Sequence, residues 1–156
     1  KEKHLLGAAI DVFPEEPASN KEKFTSPLQK LSNVILTPHI GGSTEEAQYN
    51  IGVEVAQSLT QYIKNGSTTG AVNFPNVDLP IHRDCRRIIN VHRNEPGVLG
   101  EINGIVSKEG VNILGQYLAT DKNIGYLVMD LEKGEADRVA KEITLLKRSI
   151  HTRIVV

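Results

Sequence analysis

Residues 87–119 read RIINVHRNEPGVLGEINGIVSKEGVNILGQYLA, and this stretch decides the fold of the second half of the chain. Its first six residues, Arg87 to His92, are rich in β-branched side chains and predict a strand. A Pro-Gly pair then opens a helix with apolar residues at helical spacing, and Gly110 ends it. Val111 to Ala119 predicts a second strand. The stretch therefore indicates a strand, a helix and a strand in close succession.

The residues that follow repeat the pattern with one extra strand. After a turn at Asp121 to Asn123, Ile124 to Leu131 predicts a third strand, because alternate apolar residues share one face. Apolar residues that recur about every 3.6 residues then predict a second helix, and apolar residues at every second position predict a last strand. The helix positions are Ala136, Val139, Ala140, Ile143 and Leu146, and the strand positions are Ile150, Thr152, Ile154 and Val156. The order βαββαβ in about 70 residues is the ferredoxin-like arrangement, an α+β fold.

The first half of the chain predicts α/β architecture. Gly7 to Phe13 (GAAIDVF) and Asn33 to Thr37 (NVILT) are short apolar runs closed by prolines, as is typical of buried strands. Ser43 and Glu46 match a capping box at the start of a long helix, which Asn65 and a glycine end. The apolar positions of that helix are Ala47, Ile51, Val55, Leu59 and Ile63. Two strands and one helix do not complete a doubly wound sheet, so we expect the remaining strands upstream.

The two halves are separated by the segment FPNVDLP, residues 74–80, which holds two prolines in seven positions. Such a composition is typical of an extended linker at a domain boundary. We therefore expect a first region over residues 1–73, a linker over 74–84 and a second domain over 85–156.

Composition and charge exclude several classes of function. The net charge is −1, with 39% hydrophobic and 24% charged residues, so nothing indicates nucleic acid, a membrane surface or a polyanionic substrate. No apolar run approaches the roughly 18 residues of a membrane span. Cys85 is the only cysteine, which excludes an internal disulfide and a cysteine-based zinc cluster and suits a reducing cytoplasm. We expect no metal site.

Candidate catalytic residues lie where the second predicted strand ends. His39 stands between Pro38 and a pair of glycines, at the kind of strand end where open α/β sheets bind ligands. Asp11 and Glu16 follow the first predicted strand. A carboxylate beside an imidazole favours its protonated form and orients it, which makes a general acid and base for an alcohol or carbonyl. The alternative is that all three are ordinary surface loop residues.

The two segments around these residues resemble a known family. GAAIDVFPEEP and NVILTPHIGGST are similar to the signature of D-isomer-specific 2-hydroxyacid dehydrogenases, which use a Rossmann-type NAD-binding domain. The resemblance implies that His39 is the catalytic acid and base and that Glu16 is its carboxylate partner. It also implies that Asp11, Gly41 and Gly42 bind the nicotinamide end of NAD.

The continuation through the long helix to STTGAVNFP, residues 67–75, narrows the resemblance to the serine-biosynthetic branch of the family. That branch implies oxidation of 3-phosphoglycerate to 3-phosphohydroxypyruvate, the first step of L-serine biosynthesis, although another D-2-hydroxy acid stays open as the substrate. The family's substrate-binding arginine and its GxGxxG loop have no counterpart here. We therefore expect the C-terminal part of a Rossmann-type domain plus the return helix to the substrate domain, inactive as a fragment and active in the intact enzyme.

A second group of residues stands at the junction of the first strand and helix of the C-terminal half. Locally, Asn94 or Glu95 could simply cap that helix. The run RNEPGVLGEI followed by GVNI resembles an ACT domain, a regulatory module that binds amino acids. The resemblance implies that His92, Asn94 and Asn112 bind L-serine as feedback inhibitor, between two ACT domains that pair into one sheet. It implies a homo-oligomer: an ACT-mediated dimer, and a tetramer in the intact enzyme.

Two other functions remain open for the C-terminal half. One is RNA binding, because the RNA-recognition fold shares the βαββαβ order and arginines are frequent here. The arginines are Arg83, Arg86, Arg87, Arg93, Arg148 and Arg153. However, only Tyr126 is available for base stacking on the third predicted strand, where several aromatics are needed. The other is a domain that assembles subunits and binds no effector.

Overall fold

The computed structural model describes residues 4–19, 21–80 and 84–155, so Arg83 and Val156 named above lie outside the described residues. The chain divides into two compact units, Lys1–Val53 and Glu54–Val156. This division falls inside a helix and not at residues 74–84, and the domain boundary expected there stays a prediction.

The first unit contains a small parallel sheet. Strand β1 covers Ala8–Ile10 and strand β2 covers Val34–Leu36, in a register that pairs Ala8 with Val34. Both strands are therefore confirmed, at three residues each. The expectation that they are buried is wrong for this chain, since Ile35 is 66% exposed. Among the described residues, each strand has a single neighbour, so it is hydrogen-bonded to another strand along one edge only.

Helix α1 covers Glu45–Asn65 and confirms the predicted helix. Its N-terminal cap lies one residue later than expected, because the Thr44 hydroxyl, not Ser43, accepts a hydrogen bond from the Ala47 amide at 3.1 Å. Cap identity depends on where the first helical turn forms, and the Ser-Thr pair at 43–44 offers two adjacent candidates. No residue of α1 is buried in this chain.

The second unit confirms the predicted βαββαβ order. Its elements are β3 (Arg86–Arg93), α2 (Val98–Lys108), β4 (Ile113–Thr120), β5 (Ile124–Leu131), α3 (Ala136–Leu145) and β6 (Ser149–Val155). The strands form one sheet in the order β4-β5-β3-β6, and every neighbouring pair is antiparallel. This order places the first and third strands of the motif at the centre, as in ferredoxin-like domains.

One face of this sheet packs against α2 and α3. Ile88, Leu127 and Met129 are fully buried there, together with Val98 and Val139 from the two helices. The alternation of apolar residues on β5 thus has the predicted consequence, because side chains on alternate positions point to one face.

The opposite face of the sheet is covered by the segment that the sequence indicated as a linker. Val77 and Leu79 are buried against Ile89 and Tyr126, and the Phe74 ring meets the Tyr126 ring edge-on with centroids 5.1 Å apart. Tyr126 is fully buried by this packing. It therefore offers no ring face to a nucleotide base, which removes the one aromatic on which the RNA-binding alternative relied.

A buried ion pair lies on the same face. The Arg87 guanidinium donates to both carboxylate oxygens of Asp130, at 2.6 and 2.8 Å, and also to the carbonyl oxygens of Asn65 and Pro80. The Tyr126 hydroxyl donates to the Gly66 carbonyl at 2.6 Å. These bonds satisfy carbonyl groups at the C-terminal end of α1, which lack partners within the helix.

Candidate active site

The parallel pairing of β1 and β2 brings the ends of the two strands together. Asp11 follows β1 directly and Thr37 follows β2, so both side chains leave the sheet at the same edge. One carboxylate oxygen of Asp11, Oδ1, accepts a hydrogen bond from the Thr37 hydroxyl at 2.5 Å and another from the His39 backbone amide at 3.1 Å. Asp11 and His39, predicted as site residues, are therefore neighbours.

The predicted pair of His39 and Glu16 is in contact. Nδ1 of His39 lies 2.9 Å from each of the two carboxylate oxygens of Glu16. Glu16 is held in turn by the backbone amide of Phe13, which donates to its Oε1 at 2.9 Å. Because Glu16 engages Nδ1, the ring turns its other nitrogen, Nε2, away from the carboxylate.

The contact shifts the protonation of both groups. The hydrogen bond to Glu16 and the charge of its carboxylate raise the pKa of His39 above 6.5. The pKa of Glu16 is lowered, first by the hydrogen bond from the Phe13 amide and then by the one from His39. The contact therefore favours the protonated imidazole, and a histidine can take up and release a proton, which is the property of a general acid and base.

These residues border a cavity of about 710 Å³ within the first unit. The rings of Phe13 and Phe24 pack edge-on with centroids 4.7 Å apart and form part of its apolar wall. Gly41 and Gly42, next in the chain, are exposed, and a Cβ added to either would meet no atom within 4 Å. The space beside them is thus open to a flat ring. Among the described residues, no group of three or more His, Cys, Asp or Glu side chains could hold a metal ion.

The residues predicted to bind an effector do not form one site in a single chain. His92 and Asn94 lie at the C-terminal end of β3, whereas Asn112 precedes β4 at the opposite end of the sheet, where its carbonyl accepts from Glu132. The intervening strand β5 is eight residues long. At about 3.3 Å per residue it separates the two ends by roughly 23 Å, too far for one amino acid to span.

His92 and Asn94 have well-defined surroundings. The His92 side chain is only 3% exposed, its Nδ1 lies 3.0 Å from Oδ1 of Asn90, and its ring lies against Gly125. Burial lowers the pKa of His92, which favours the neutral ring. Asn94 is exposed, and its amide donates to the Asp121 carbonyl at 2.6 Å.

Neither residue considered as a cap for α2 serves as one. The N-cap is Gly97, which has φ 91° and makes no side-chain capping bond. A positive φ of this kind is adopted without strain only by glycine. Glu95 instead forms an ion pair with Arg148 at 2.8 Å. The amides at the start of α2 therefore have no side-chain cap, and they face the same end of the sheet as Asn94.

Sequence reasoning missed two residues that shape these sites. Thr37 bonds to Asp11, and Gly125 makes room for His92, since a Cβ on Gly125 would lie 2.3 Å from Nε2. Thr37 could have been noticed as a hydroxyl residue between a predicted strand and a proline. The direction in which its side chain points, however, depends on how the two strands pair. The signal for Gly125 was a glycine inside a predicted strand, which often marks a close approach.

Comparison with known proteins identifies the class to which these features belong. Residues 1–41 match the family described as "D-isomer specific 2-hydroxyacid dehydrogenase, NAD binding domain", and residues 88–150 match the family described as "AHAS small subunit-like ACT domain". The chain belongs to the D-isomer-specific 2-hydroxyacid dehydrogenases and carries an ACT domain.

Particular relatives narrow the similarity. The chain is 53% identical over 155 residues to D-3-phosphoglycerate dehydrogenase of Escherichia coli strain K12. The aligned region covers 98% of this chain and 38% of that protein. It is 48% identical over 152 residues to the enzyme of the same name from Dictyostelium discoideum, covering 97% of this chain and 37% of that protein. The chain thus spans little more than a third of the length of these relatives. None of the described helices is long and apolar enough to cross a membrane.

Proposed function

We propose that the protein containing this chain oxidises 3-phosphoglycerate to 3-phosphohydroxypyruvate with NAD, the first step of L-serine biosynthesis. The observation that carries the proposal is the contact of His39 with both oxygens of Glu16, at 2.9 Å, on the wall of a large cavity. An imidazole held by a carboxylate in this way is the acid and base that oxidation of an alcohol requires.

The chemistry follows from the two nitrogens of His39. Glu16 holds Nδ1, so Nε2 takes the proton of the substrate hydroxyl as the hydroxyl carbon is oxidised. The imidazolium that results is stabilised by the Glu16 carboxylate, whose negative charge lies in direct contact with it. In the direction of reduction, Nε2 returns the proton to the carbonyl oxygen.

NAD, when bound, accepts the hydride that leaves the hydroxyl carbon. Asp11, Gly41 and Gly42 suit its nicotinamide end. Asp11 uses Oδ1 for Thr37 and His39, which leaves Oδ2 for an amide donor, and the glycines present open space for a ring.

Catalysis by His39 can be tested in the natural gene product that contains these 156 residues. Replacing His39 with glutamine is expected to lower kcat/KM for 3-phosphoglycerate by about a hundredfold or more, because the acid and base is lost. His151→Gln is the matched control, since His151 is an exposed histidine on β6. Equal activity of the two variants contradicts the role of His39, and activity on another D-2-hydroxy acid alone contradicts the substrate.

We also propose that the ACT domain binds L-serine between two chains and thereby carries feedback inhibition. β4 is an edge strand, and its Leu114 and Leu118 are 49% and 44% exposed. An edge with exposed apolar side chains favours pairing with a second copy. Pairing across β4 gives a dimer, and a tetramer of the intact enzyme is proposed on the same basis.

Pairing of two β4 edges about a two-fold axis is antiparallel. The start of β4 in one chain then lies beside the end of β4 in the other. Within each chain, the end of β4 is next to Asn94, because Thr120 pairs with Gly125 and the Asn94 amide bonds to the Asn123 carbonyl. Asn112 of the partner subunit is thereby brought toward His92 and Asn94. The side-chain amides of Asn94 and Asn112, with the backbone amides at the start of α2 that have no side-chain cap, suit the ammonium and carboxylate of an amino acid.

Isothermal titration of the chain with L-serine tests this assignment, with glycine and L-phenylalanine as controls and size analysis to establish the dimer. Saturable heat selective for serine is expected, and Asn112→Ala should weaken binding at least tenfold. Asn50→Ala, an exposed change on α1, should bind as the unaltered chain does. A folded dimer that yields no heat with serine would leave the ACT domain as an assembly element. We place both activities in the cytoplasm, in keeping with the single cysteine.

A further inference from the structure

We propose that Thr37 is a positioning residue for His39: its hydroxyl fixes the Asp11 carboxylate, which holds the His39 backbone in the conformation that directs the ring to Glu16. The inference rests on the proposed function for its catalytic consequence. It adds to that function a residue that acts through Asp11 and the His39 backbone.

The backbone of His39 needs such support. Its φ is 52°, in the left-handed region, and among the described residues other than glycine only Asp84 shares a positive φ. This region is unfavourable for a side chain with a Cβ, and residues held there at functional sites depend on surrounding contacts. His39 is also exposed, and two glycines, Gly41 and Gly42, lie two and three residues after it and add no stiffness.

The contacts that supply this support run from strand to strand. The Thr37 amide donates to the Ile10 carbonyl at 3.1 Å and extends the β1–β2 pairing by one step. The Thr37 hydroxyl then donates to Oδ1 of Asp11 at 2.5 Å, and the same oxygen accepts from the His39 amide at 3.1 Å. One carboxylate oxygen therefore ties the end of β1 to residues on both sides of Pro38.

The position of the ring depends on this tie. Glu16 is fixed independently, through the Phe13 amide, so the 2.9 Å contact requires that the His39 backbone be brought to the carboxylate. Pro38 has a fixed φ and restricts Thr37 to extended conformations. The remaining freedom lies at His39 itself, and the Asp11 bond to its amide restrains it. Without the Thr37 hydroxyl, Asp11 has one partner fewer to hold that oxygen in place.

Two replacements of Thr37 distinguish the effect of losing its hydroxyl from the effect of changing the shape of its side chain. Thr37→Val keeps the volume and removes the donor, whereas Thr37→Ser keeps the donor and removes a methyl group. In the natural gene product, Thr37→Val is expected to lower kcat/KM about tenfold or more, because small displacements of a catalytic group have large effects on rate. Thr37→Ser is expected to stay within about threefold of the unaltered enzyme.

The pH profile provides a readout that loss of folded enzyme would not change. The charged groups around the ring are Glu16 and Asp11, with Glu22 farther along the cavity wall. As the ring moves from Glu16, the midpoint of the rising limb of kcat/KM for oxidation should shift to lower pH in Thr37→Val. It should not shift in Thr37→Ser. Unchanged kcat/KM and an unchanged midpoint in Thr37→Val, in an enzyme that His39→Gln inactivates, would overturn the inference and leave the proposed function intact.

A second measurement does not depend on turnover. The titration of His39 can be followed by proton NMR in the 156-residue chain, with His39→Gln to assign the signal. Thr37→Val should lower the pKa of His39 relative to the unaltered chain, and Thr37→Ser should restore it. A pKa of His39 that is equal in all three chains refutes the role of Thr37, whatever reaction the enzyme performs.

Discussion

Replacing Arg87 with methionine is expected to destabilise the second unit strongly. The Arg87 and Asp130 side chains are 6% and 0% exposed, and the guanidinium donates to both carboxylate oxygens. Methionine fills a similar volume but leaves the carboxylate of Asp130 buried without its cation. It also removes the donors to the carbonyl oxygens of Asn65 and Pro80.

The magnitude follows from the burial. Breaking a buried ion pair from one side costs about 3–5 kcal/mol, since a desolvated charge remains. For a unit of this size, a loss of about 4 kcal/mol lowers Tm by roughly 20 °C. The double replacement Arg87→Met with Asp130→Leu should recover much of the loss, because no charge then stays in the apolar surroundings.

Thermal and urea unfolding followed by circular dichroism measure these differences in the 156-residue chain. Arg138→Met is the matched control, because Arg138 forms an exposed ion pair with Glu135 at 3.0 Å. Exposed pairs contribute little, so Tm should hardly change. The reasoning is refuted if Arg87→Met and Arg138→Met unfold at the same temperature, or if the double variant is less stable than Arg87→Met alone.

Three further results are expected. Glu16→Gln should lower the pKa of His39, because the carboxylate that stabilises the imidazolium is gone. The rising limb of the pH profile for oxidation should therefore move to lower pH, and a limb that stays at the same pH contradicts the pairing of His39 with Glu16. Gly125→Ala should weaken serine binding measured by titration, because the new Cβ would lie 2.3 Å from Nε2 of His92 and displace the ring; binding of normal strength argues against His92. Tyr126→Phe should cost about 1–2 kcal/mol in urea unfolding, since the carbonyl at the end of α1 loses a donor. Burial raises the pKa of Tyr126 from 10 to about 12, so the phenol loses its proton at lower pH in the unfolded chain than in the folded one. As pH rises from 10 toward 12, the free energy of unfolding of the unaltered chain should therefore fall relative to that of Tyr126→Phe. A difference between the two chains that stays constant with pH would contradict the burial of the hydroxyl.

Hydrophobic periodicity predicted the helices and strands well because it is a local property. Alternation over Ile124 to Leu131 and helical spacing from Ala136 onward depend only on which face of an element meets the core. The cap of α1 was misplaced by one residue, since Ser43 and Thr44 are equally suitable and only the position of the first turn selects between them.

The candidate active site was predictable as a set of residues but not as a geometry. Asp11, Glu16 and His39 stand in motifs that a family resemblance identifies, 28 residues apart at the extremes. Their contact requires the parallel pairing of β1 with β2 and the turn at Phe13 that fixes Glu16. Thr37 was missed for the same reason, because the direction of a side chain beyond a strand depends on the neighbouring strand.

The sequence by itself determined the order of the elements, the βαββαβ fold and the residue types suited to acid–base chemistry and amino-acid binding. These follow from local periods, turn residues and motifs. Only the tertiary structure decided that Val77 and Leu79, in a segment whose prolines indicate a linker, cover one face of the sheet. It also decided that Asn112 lies at the far end of the sheet from Asn94. The physical reason is that prolines and strand patterns restrict backbone conformation, whereas burial and distance depend on surfaces brought together from distant parts of the chain.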